Sequence, residues 1–195
     1  MKKRFFSFVA VTMVVMFLSV GSVFAADDAK NFISNKVGVG YQGMVVGSFL
    51  NGLSVRGWIG DRIGLEGSGF YGKADLEATS SGYPVMDIKG DFWMLEAKAM
   101  YAFIVRSNSK FYAGAKIGYG QITADFYGTK FLDGESVWEP GLFIGSEWSF
   151  PGLPEVGFNF DIGYTGVIFN NNIQGLDVDL QLHGVTATFG VHYYF

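Results

Sequence analysis

Eight charged side chains recur within segments that otherwise alternate between apolar residues and small or polar ones. Successive side chains in a strand point to opposite faces, and all eight charges fall on the face opposite the apolar residues. They are Arg56, Glu66, Glu96, Lys98, Lys116, Glu139, Glu147 and Asp161. Opposite charges enclosed on one face can form charge-assisted pairs. The pattern therefore predicts a charge network that either fills an interior or lines a narrow path with exchangeable ion pairs.

One short link predicts a specific partnership within this network. Residues 60–62 read Gly-Asp-Arg, a composition typical of tight turns. If the turn places Ile59 opposite Ile63, Arg56 lies directly opposite Glu66 on the charged face. A bidentate pair between an arginine and a carboxylate would then join the two strands.

Catalytic residues are scarce. Only His183 and His192 could serve as general bases near neutral pH. His183 lies beside Asp177 and Asp179, but no nucleophile and base arrangement accompanies either histidine. We therefore predict that the protein is not an enzyme and has no cofactor.

The longer links contain several carboxylates and apolar residues. Carboxylates such as Asp87, Asp125 and Asp133 suit hard cations, yet the chain has no twelve-residue calcium loop and a solvated acidic rim is the simpler interpretation. We predict no metal site. Apolar residues in the same links, among them Tyr83 and Phe126, leave open a role of these loops in contacts with an extracellular partner.

Eight alternating segments position the charges. They cover approximately residues 36–44, 52–60, 63–75, 91–104, 111–123, 138–150, 156–169 and 182–195. Short links at 60–62, 106–110 and 151–155 alternate with long ones at 78–90, 124–137 and 170–181, while the link at 45–51 is intermediate. Short turns at one rim and long loops at the other are typical of outer-membrane barrels. The predicted fold class is therefore all-β, an eight-stranded antiparallel up-and-down transmembrane β-barrel.

The two faces indicate which side of this barrel meets lipid. The uncharged face carries large aromatic and aliphatic side chains, and the lumen of an eight-stranded barrel has room only for modest side chains. Outward aromatics such as Trp93 and Tyr101 also mark both ends of one strand. Eight residues at about 3.3 Å, tilted by about 40°, rise roughly 20 Å, close to the apolar band of an outer-membrane barrel. We therefore expect the apolar face outside and the charges inside.

The N-terminus predicts export. Lys2, Lys3 and Arg4 precede an apolar run, and small residues at 23 and 25 suit cleavage after Ala25. The predicted organisation is a cleaved signal peptide at 1–25, a short lead at 26–35 and a barrel at 36–195. Loss of the peptide leaves 11 basic against 18 acidic residues, a balance that argues against nucleic acid as a partner. The chain has no cysteine, so disulfides and thiolate metal sites are excluded.

The last strand carries the most specific family signature. Val191, Tyr193 and the terminal Phe195 form an alternating, Phe-ending pattern. This pattern, together with the strand, turn and strand of residues 53–66, resembles the small eight-stranded outer-membrane barrels of the OmpA/OmpX type over residues 36–195. The chain departs from the OmpA pattern in having no peptidoglycan-binding domain after the barrel, so anchoring to the cell wall is not implied.

The resemblance carries expectations about location, partners and role. It implies a monomer in the outer membrane of a Gram-negative-type bacterium, surrounded by outer-membrane lipid. It also implies that the outer-membrane assembly machinery recognises Val191, Tyr193 and Phe195. The role expected is structural or adhesive, with an interior plugged by ion pairs and a possible extracellular partner at the loops. The alternative is a narrow, porin-like gated pore for ions or small solutes.

Overall fold

The computed structural model describes residues 32–45, 49–80, 83–126, 129–173 and 176–195. Eight strands make up almost all of these residues. They are β1 (Val37–Val45), β2 (Phe49–Ile59), β3 (Ile63–Ser80), β4 (Tyr83–Arg106), β5 (Ser109–Phe126), β6 (Thr129–Phe150), β7 (Leu153–Ile173) and β8 (Leu176–Tyr194). Each strand pairs antiparallel with its neighbour in sequence, and β8 pairs with β1 to close the barrel. The predicted fold class is confirmed. In the part of the chain that the structure describes, no helix is long and apolar enough to cross a membrane.

Tight turns join the strands at the rim that also holds the C-terminus. Ile59 pairs with Ile63, Arg106 with Ser109 and Phe150 with Leu153. Gly60 has a positive φ of 64°, a conformation that glycine adopts without steric cost. The short turn at residues 60–62 therefore sets the register in which β2 pairs with β3.

The strands are longer than their alternation predicts, and the three long links are mostly not loops. β4 covers 24 residues, and the β3–β4 and β7–β8 ladders continue to Ser80 with Tyr83 and to Ile173 with Leu176. The predicted loops at 78–90, 124–137 and 170–181 are thus corrected to strand over most of their length. Above the apolar band neither face of the wall needs to be apolar, so the ladder continues where period-two hydropathy has ended.

The burial of side chains is inverted relative to a soluble barrel. Large apolar side chains on the outer face, such as Leu53, Leu95 and Leu142, are more than half exposed, whereas Arg56, Glu66 and other charged groups are buried. Outward aromatic residues lie at two levels: Tyr71 is paired with Trp93 away from the short turns, whereas Tyr101 pairs with Ile63, and Phe150 with Leu153, next to them. An apolar exterior around a charged interior is the arrangement of a barrel whose solvent is lipid.

The residues just before β1 lie against the barrel. Residues 32–35 form a turn in which Ile33 is 2 % exposed. The Phe32 amide donates to the Ser107 carbonyl at 3.2 Å, and the Gly60 amide donates to Asn35 Oδ1 at 2.7 Å. This turn therefore covers the short-turn mouth of the barrel. The predicted signal peptide at 1–25 and the lead as far as residue 31 lie outside the described residues.

Candidate functional site

Arg56 occupies the centre of the lumen and faces three carboxylates. The pairing of Ile59 with Ile63 puts Arg56 opposite Glu66, and two nitrogens of the guanidinium contact one Glu66 oxygen. The Arg56 Nη1 lies 3.3 Å from Glu147 Oε2, and Nη2 lies 3.8 Å from Asp161 Oδ2. The side chains of Arg56, Glu66 and Glu147 have no exposed surface. Three strands, β2, β3 and β6, are thereby joined through one cation, with β7 at the longer distance.

Two lysines continue the network along the barrel axis. Lys98 Nζ lies 2.9 Å from Asp161 Oδ2, 3.1 Å from Glu66 Oε1 and 3.6 Å from Glu96 Oε1. Lys116 Nζ lies 2.8 Å from Glu96 Oε2 and 2.5 Å from Glu139 Oε1. The structure thus places all eight of the predicted charged residues in the lumen and links them into one continuous chain of contacts from Glu147 to Glu139.

Neutral donors complete the coordination of the carboxylates. The Tyr112 hydroxyl donates to Asp161 Oδ1 at 2.5 Å, and the Tyr194 hydroxyl donates to Glu147 Oε1 at 2.5 Å. Trp58 Nε1 donates to the other Glu147 oxygen at 2.8 Å. Buried charges are costly unless they are both paired and hydrogen-bonded. The contacts from Tyr112, Tyr194 and Trp58 supply the hydrogen bonds that Asp161 and Glu147 need in addition to their cations.

A ninth charged residue, Lys110, is also buried inside the barrel, although it was not part of the predicted network. Its Nζ donates to Ser34 Oγ at 3.0 Å and to the Asp61 carbonyl at 2.9 Å, and it lies 4.3 Å from the centre of the Trp58 ring. The sequence interpretation placed Lys110 in a turn. The spacing of Lys110, Tyr112, Gly114 and Lys116 on one strand face was the signal that could have found it.

The two histidines lie in different surroundings. His192 is fully buried, and its Nε2 lies 2.7 Å from Ser54 Oγ. Gly40 lies between them, paired with Ser54 on one side and His192 on the other, so the histidine reaches across β1 over a residue without a side chain. His183 is exposed and stacks on Tyr164 at a centroid distance of 6.2 Å. The side chains of Asp177 and Asp179 lie outside the described residues.

One apolar cluster lies at each end of the charge network. The cluster at the short-turn end consists of Ile33, Trp58, Met100, Ala102, Tyr112, Phe143 and Tyr194. The cluster at the opposite end consists of Met44, Phe70 and Met94, with Leu50 and Phe92 packed against it. The lumen is therefore filled by three successive layers, of which the middle one is ionic.

The three residues of the C-terminal signature lie on the lipid-facing side of the closing seam. Tyr193 pairs with Val39, and Val191 pairs with Tyr41. The Phe195 amide donates to the Val37 carbonyl at 3.1 Å, and its side chain is 69 % exposed. Residues 191–195 thus display their apolar side chains outward at the short-turn rim.

Carboxylates outside the lumen do not gather into a cation site among the described residues. No cluster of three or more histidine, cysteine, aspartate or glutamate residues suits a metal ion in this part of the chain. Four of the described rim charges instead form two separate surface pairs. Lys130 contacts Asp133 at 2.8 Å, and Lys73 contacts Asp91 at 3.6 Å.

Comparison with known proteins agrees with the architecture. No family model matches the chain, and no curated protein matches it in sequence. The N-terminal β-barrel domain of OprF from Pseudomonas aeruginosa superposes with a TM-score of 0.50 at 18 % identity, covering 83 % of this chain and 98 % of that domain. OprG from the same organism gives 0.50 at 14 % identity, with coverage of 86 % and 99 %. Identities at this level establish the fold alone.

Fold and burial together define the class of protein. A closed eight-stranded barrel with an apolar exterior and a charged, filled lumen is an integral membrane barrel. The chain has the fold of the OmpA/OmpX-like eight-stranded outer-membrane β-barrels, to whose solved members it is similar.

Proposed function

We propose that the protein is a sealed, non-enzymatic barrel that acts as a structural and surface-interaction element of the outer membrane. The observation that carries this proposal is the filling of the lumen by three layers of side chains. The ionic layer contains eight paired charges, and each neighbouring layer is an apolar cluster. An eight-stranded barrel is narrow enough for its own side chains to fill it.

The turn before β1 supports a sealed interior at the periplasmic end. Ile33 enters the apolar cluster there, and Ser34 accepts a hydrogen bond from the buried Lys110. The Phe32 amide donates to the Ser107 carbonyl, the Gly60 amide donates to the Asn35 side-chain oxygen, and these two bonds hold the turn across the mouth. A solute that entered from the periplasm would have to displace this turn before reaching the charges.

The length of the strands supports a role at the cell surface. A tilted strand needs about 9–11 residues to cross the bilayer, whereas β4 has 24 and β6 has 22. Exposed polar residues, among them Asp91 and Lys130, lie on the wall beyond the apolar band. The wall therefore projects into water on the outer side, where it is available for contacts.

Bilayer recordings test the sealed lumen. Wild-type protein reconstituted in planar bilayers is expected to show negligible conductance. Glu66→Ala is expected to stay equally silent, because the apolar clusters above and below the ion pairs remain in place. Lys73→Ala, at an exposed surface pair, serves as the matched control for handling and insertion. Discrete conductance steps in the wild type would contradict a sealed barrel.

A gated pore is the second candidate, and the position of Lys98 favours it. Its Nζ lies within 3.6 Å of three carboxylates, so loss of one partner leaves two others in reach. Exchange among such partners could open a path. In that case Glu66→Ala would change the conductance, whereas Lys73→Ala would not.

We further propose that the outer-membrane assembly machinery reads Val191, Tyr193 and Phe195, after a signal peptide at residues 1–25 has been removed. The outward display of these side chains supports this role. Deletion of Phe195 is expected to reduce the folded protein in outer-membrane fractions several-fold, while refolding in detergent, followed by the heat-dependent shift in gel mobility, changes little. Equal loss in both assays would indicate a defect of stability instead.

The closed ladder also favours a monomer within the bilayer. Every strand has two neighbours through the apolar band, since β8 pairs with β1. A closed barrel satisfies its backbone groups without a second chain.

A further inference from the structure

The charged groups buried in the lumen do not balance. Among the described residues, four buried cations face five buried carboxylates. The cations are Arg56, Lys98, Lys110 and Lys116, and the carboxylates are Glu66, Glu96, Glu139, Glu147 and Asp161. An uncompensated charge costs free energy where water is excluded. The filled lumen therefore favours the uptake of one further positive charge.

Glu96 is the carboxylate at which this charge is missing. Its Oε2 lies 2.8 Å from Lys116 Nζ, but this lysine also contacts Glu139 at 2.5 Å. Its Oε1 is buried and accepts no hydrogen bond within the described part of the chain. Lys98 Nζ lies 3.6 Å from this oxygen and is closer to two other carboxylates. One oxygen of Glu96 is thus left without a donor.

A second unpartnered polar group, the amide of Gln42, lies in the same part of the lumen. Gln42 is fully buried, and its Nε2 has no hydrogen-bond partner among the residues that the structure describes. Its Oε1 lies 2.8 Å from Ser68 Oγ, and Ser68 pairs in register with Glu96. Side chains of directly paired residues are neighbours on one face of a sheet. Ser68 therefore adjoins both unpartnered groups.

The single hydroxyl hydrogen of Ser68 decides how the Gln42 amide is oriented. Ser68 Oγ lies 3.0 Å from Glu66 Oε1 as well as 2.8 Å from Gln42 Oε1, but a hydroxyl donates only one hydrogen bond. A carboxylate is the stronger acceptor, so the hydrogen goes to Glu66. A half-turn of the Gln42 amide then lets Nε2 donate to Ser68 Oγ and moves the carbonyl oxygen to the unpartnered position. Two oxygens without a donor then adjoin Ser68.

We infer that a monovalent metal cation of the sodium class binds beside Ser68, with the Gln42 carbonyl oxygen and Glu96 Oε1 among its ligands. Carboxylate and amide oxygens suit hard cations. One added positive charge balances the buried carboxylates, whereas a divalent ion would leave one positive charge in excess. The inference goes beyond the surface role proposed above and does not depend on it.

The apolar cluster above the ionic layer separates this position from outside water. Phe70 pairs with Met94 one lumen-facing level beyond Ser68 and Glu96, and the two side chains are 3 % and 1 % exposed. Met44 belongs to the same cluster. A cation that enters while the barrel folds is therefore held inside, and its effect is read from the unfolding equilibrium.

Sodium-dependent stability tests the inference. The protein is refolded in detergent while sodium chloride replaces N-methylglucamine chloride stepwise at constant ionic strength, because this organic cation is too large for a lumen filled by side chains. Sodium at about ten times its dissociation constant is expected to raise the folding equilibrium constant about tenfold, as measured by urea titration. A constant that stays unchanged over the whole titration would overturn the cation site. It would mean that a proton, on His192 or on a carboxylate, balances the charge.

Gln42→Leu removes one ligand without changing the charge of the lumen. The sodium-dependent rise is expected to disappear or to require at least about tenfold more sodium. Gln121→Leu is the matched control, since Gln121 is half-buried and pairs with the outward-facing Trp93, and it is expected to keep the wild-type dependence. The same dependence in Gln42→Leu would refute the assignment of this site.

Glu96→Gln provides a second variant in case Gln42→Leu does not reach the heat-shifting form. It removes a ligand and also the excess negative charge, so the sodium dependence is expected to be absent. Equilibrium dialysis against radioactive sodium ions, in an excess of N-methylglucamine, counts the bound cation directly. Wild-type barrels are expected to retain one ion each and Glu96→Gln barrels none. Equal retention by the two proteins would contradict the inference.

Discussion

Replacing Arg56 by methionine is expected to lower the free energy of unfolding by about 3–5 kcal/mol. Methionine fills much of the arginine volume, but it leaves Glu66, Glu147 and Asp161 facing one another without their shared cation. Removal of one partner from a buried ion pair is costly because the remaining charge stays desolvated. Urea titration of the protein in detergent, followed by tryptophan fluorescence, measures the change, since Trp58 is buried beside the same network.

An exposed ion pair provides the matched control for this variant. Lys73 and Asp91 lie 3.6 Å apart, with side chains 63 % and 55 % exposed. Solvent screens an exposed pair and leaves it little effect on stability, so Lys73→Met is expected to unfold at nearly the wild-type urea concentration. The double variant Arg56→Met with Glu66→Leu is expected to recover part of the stability, because one uncompensated carboxylate has been removed. Equal midpoints for Arg56→Met and Lys73→Met would refute a stabilising network.

The faces of the strands could be predicted from the sequence because they follow a strict period of two. Apolar residues such as Leu95 and Ala97 alternate with charged residues such as Glu96 and Lys98, and a one-residue shift would move every charge into lipid. The pairing of Arg56 with Glu66 followed from the length of one turn. Local information was sufficient for both.

Contacts that cross an intervening strand could not be predicted in this way. His192 reaches Ser54 only because Gly40 separates them on β1, and Lys98 of β4 reaches Asp161 of β7 across the lumen. These distances depend on the diameter of the closed barrel, which local alternation does not encode. The ends of the strands were missed for a different reason, since hydropathy stops alternating where the wall leaves the lipid.

Introducing valine at Gly145 is expected to abolish the folded, heat-shifting form, with a loss of stability of at least about 3 kcal/mol. Gly145 lies in register between Tyr112 on β5 and Asp161 on β7. The Tyr112 hydroxyl donates to Asp161 at 2.5 Å directly over this glycine. A Cβ at position 145 would overlap Asp161 Oδ1 and lie 2.6 Å from Tyr112 Cε2 and 2.9 Å from the Phe160 carbonyl oxygen.

Gly67→Val distinguishes this steric effect from a general cost of valine for glycine. Gly67 lies within β3 on the lipid-facing side, and an added Cβ would have no neighbour within 4 Å. Valine is favoured over glycine in strands, so this variant is expected to fold and shift on heating as the wild type does.

Because Gly145 lies between a backbone carbonyl and two buried side chains, its surroundings cannot move aside without breaking the contact between Tyr112 and Asp161. A folded Gly145→Val barrel with wild-type stability would mean that this contact is dispensable for closing the lumen.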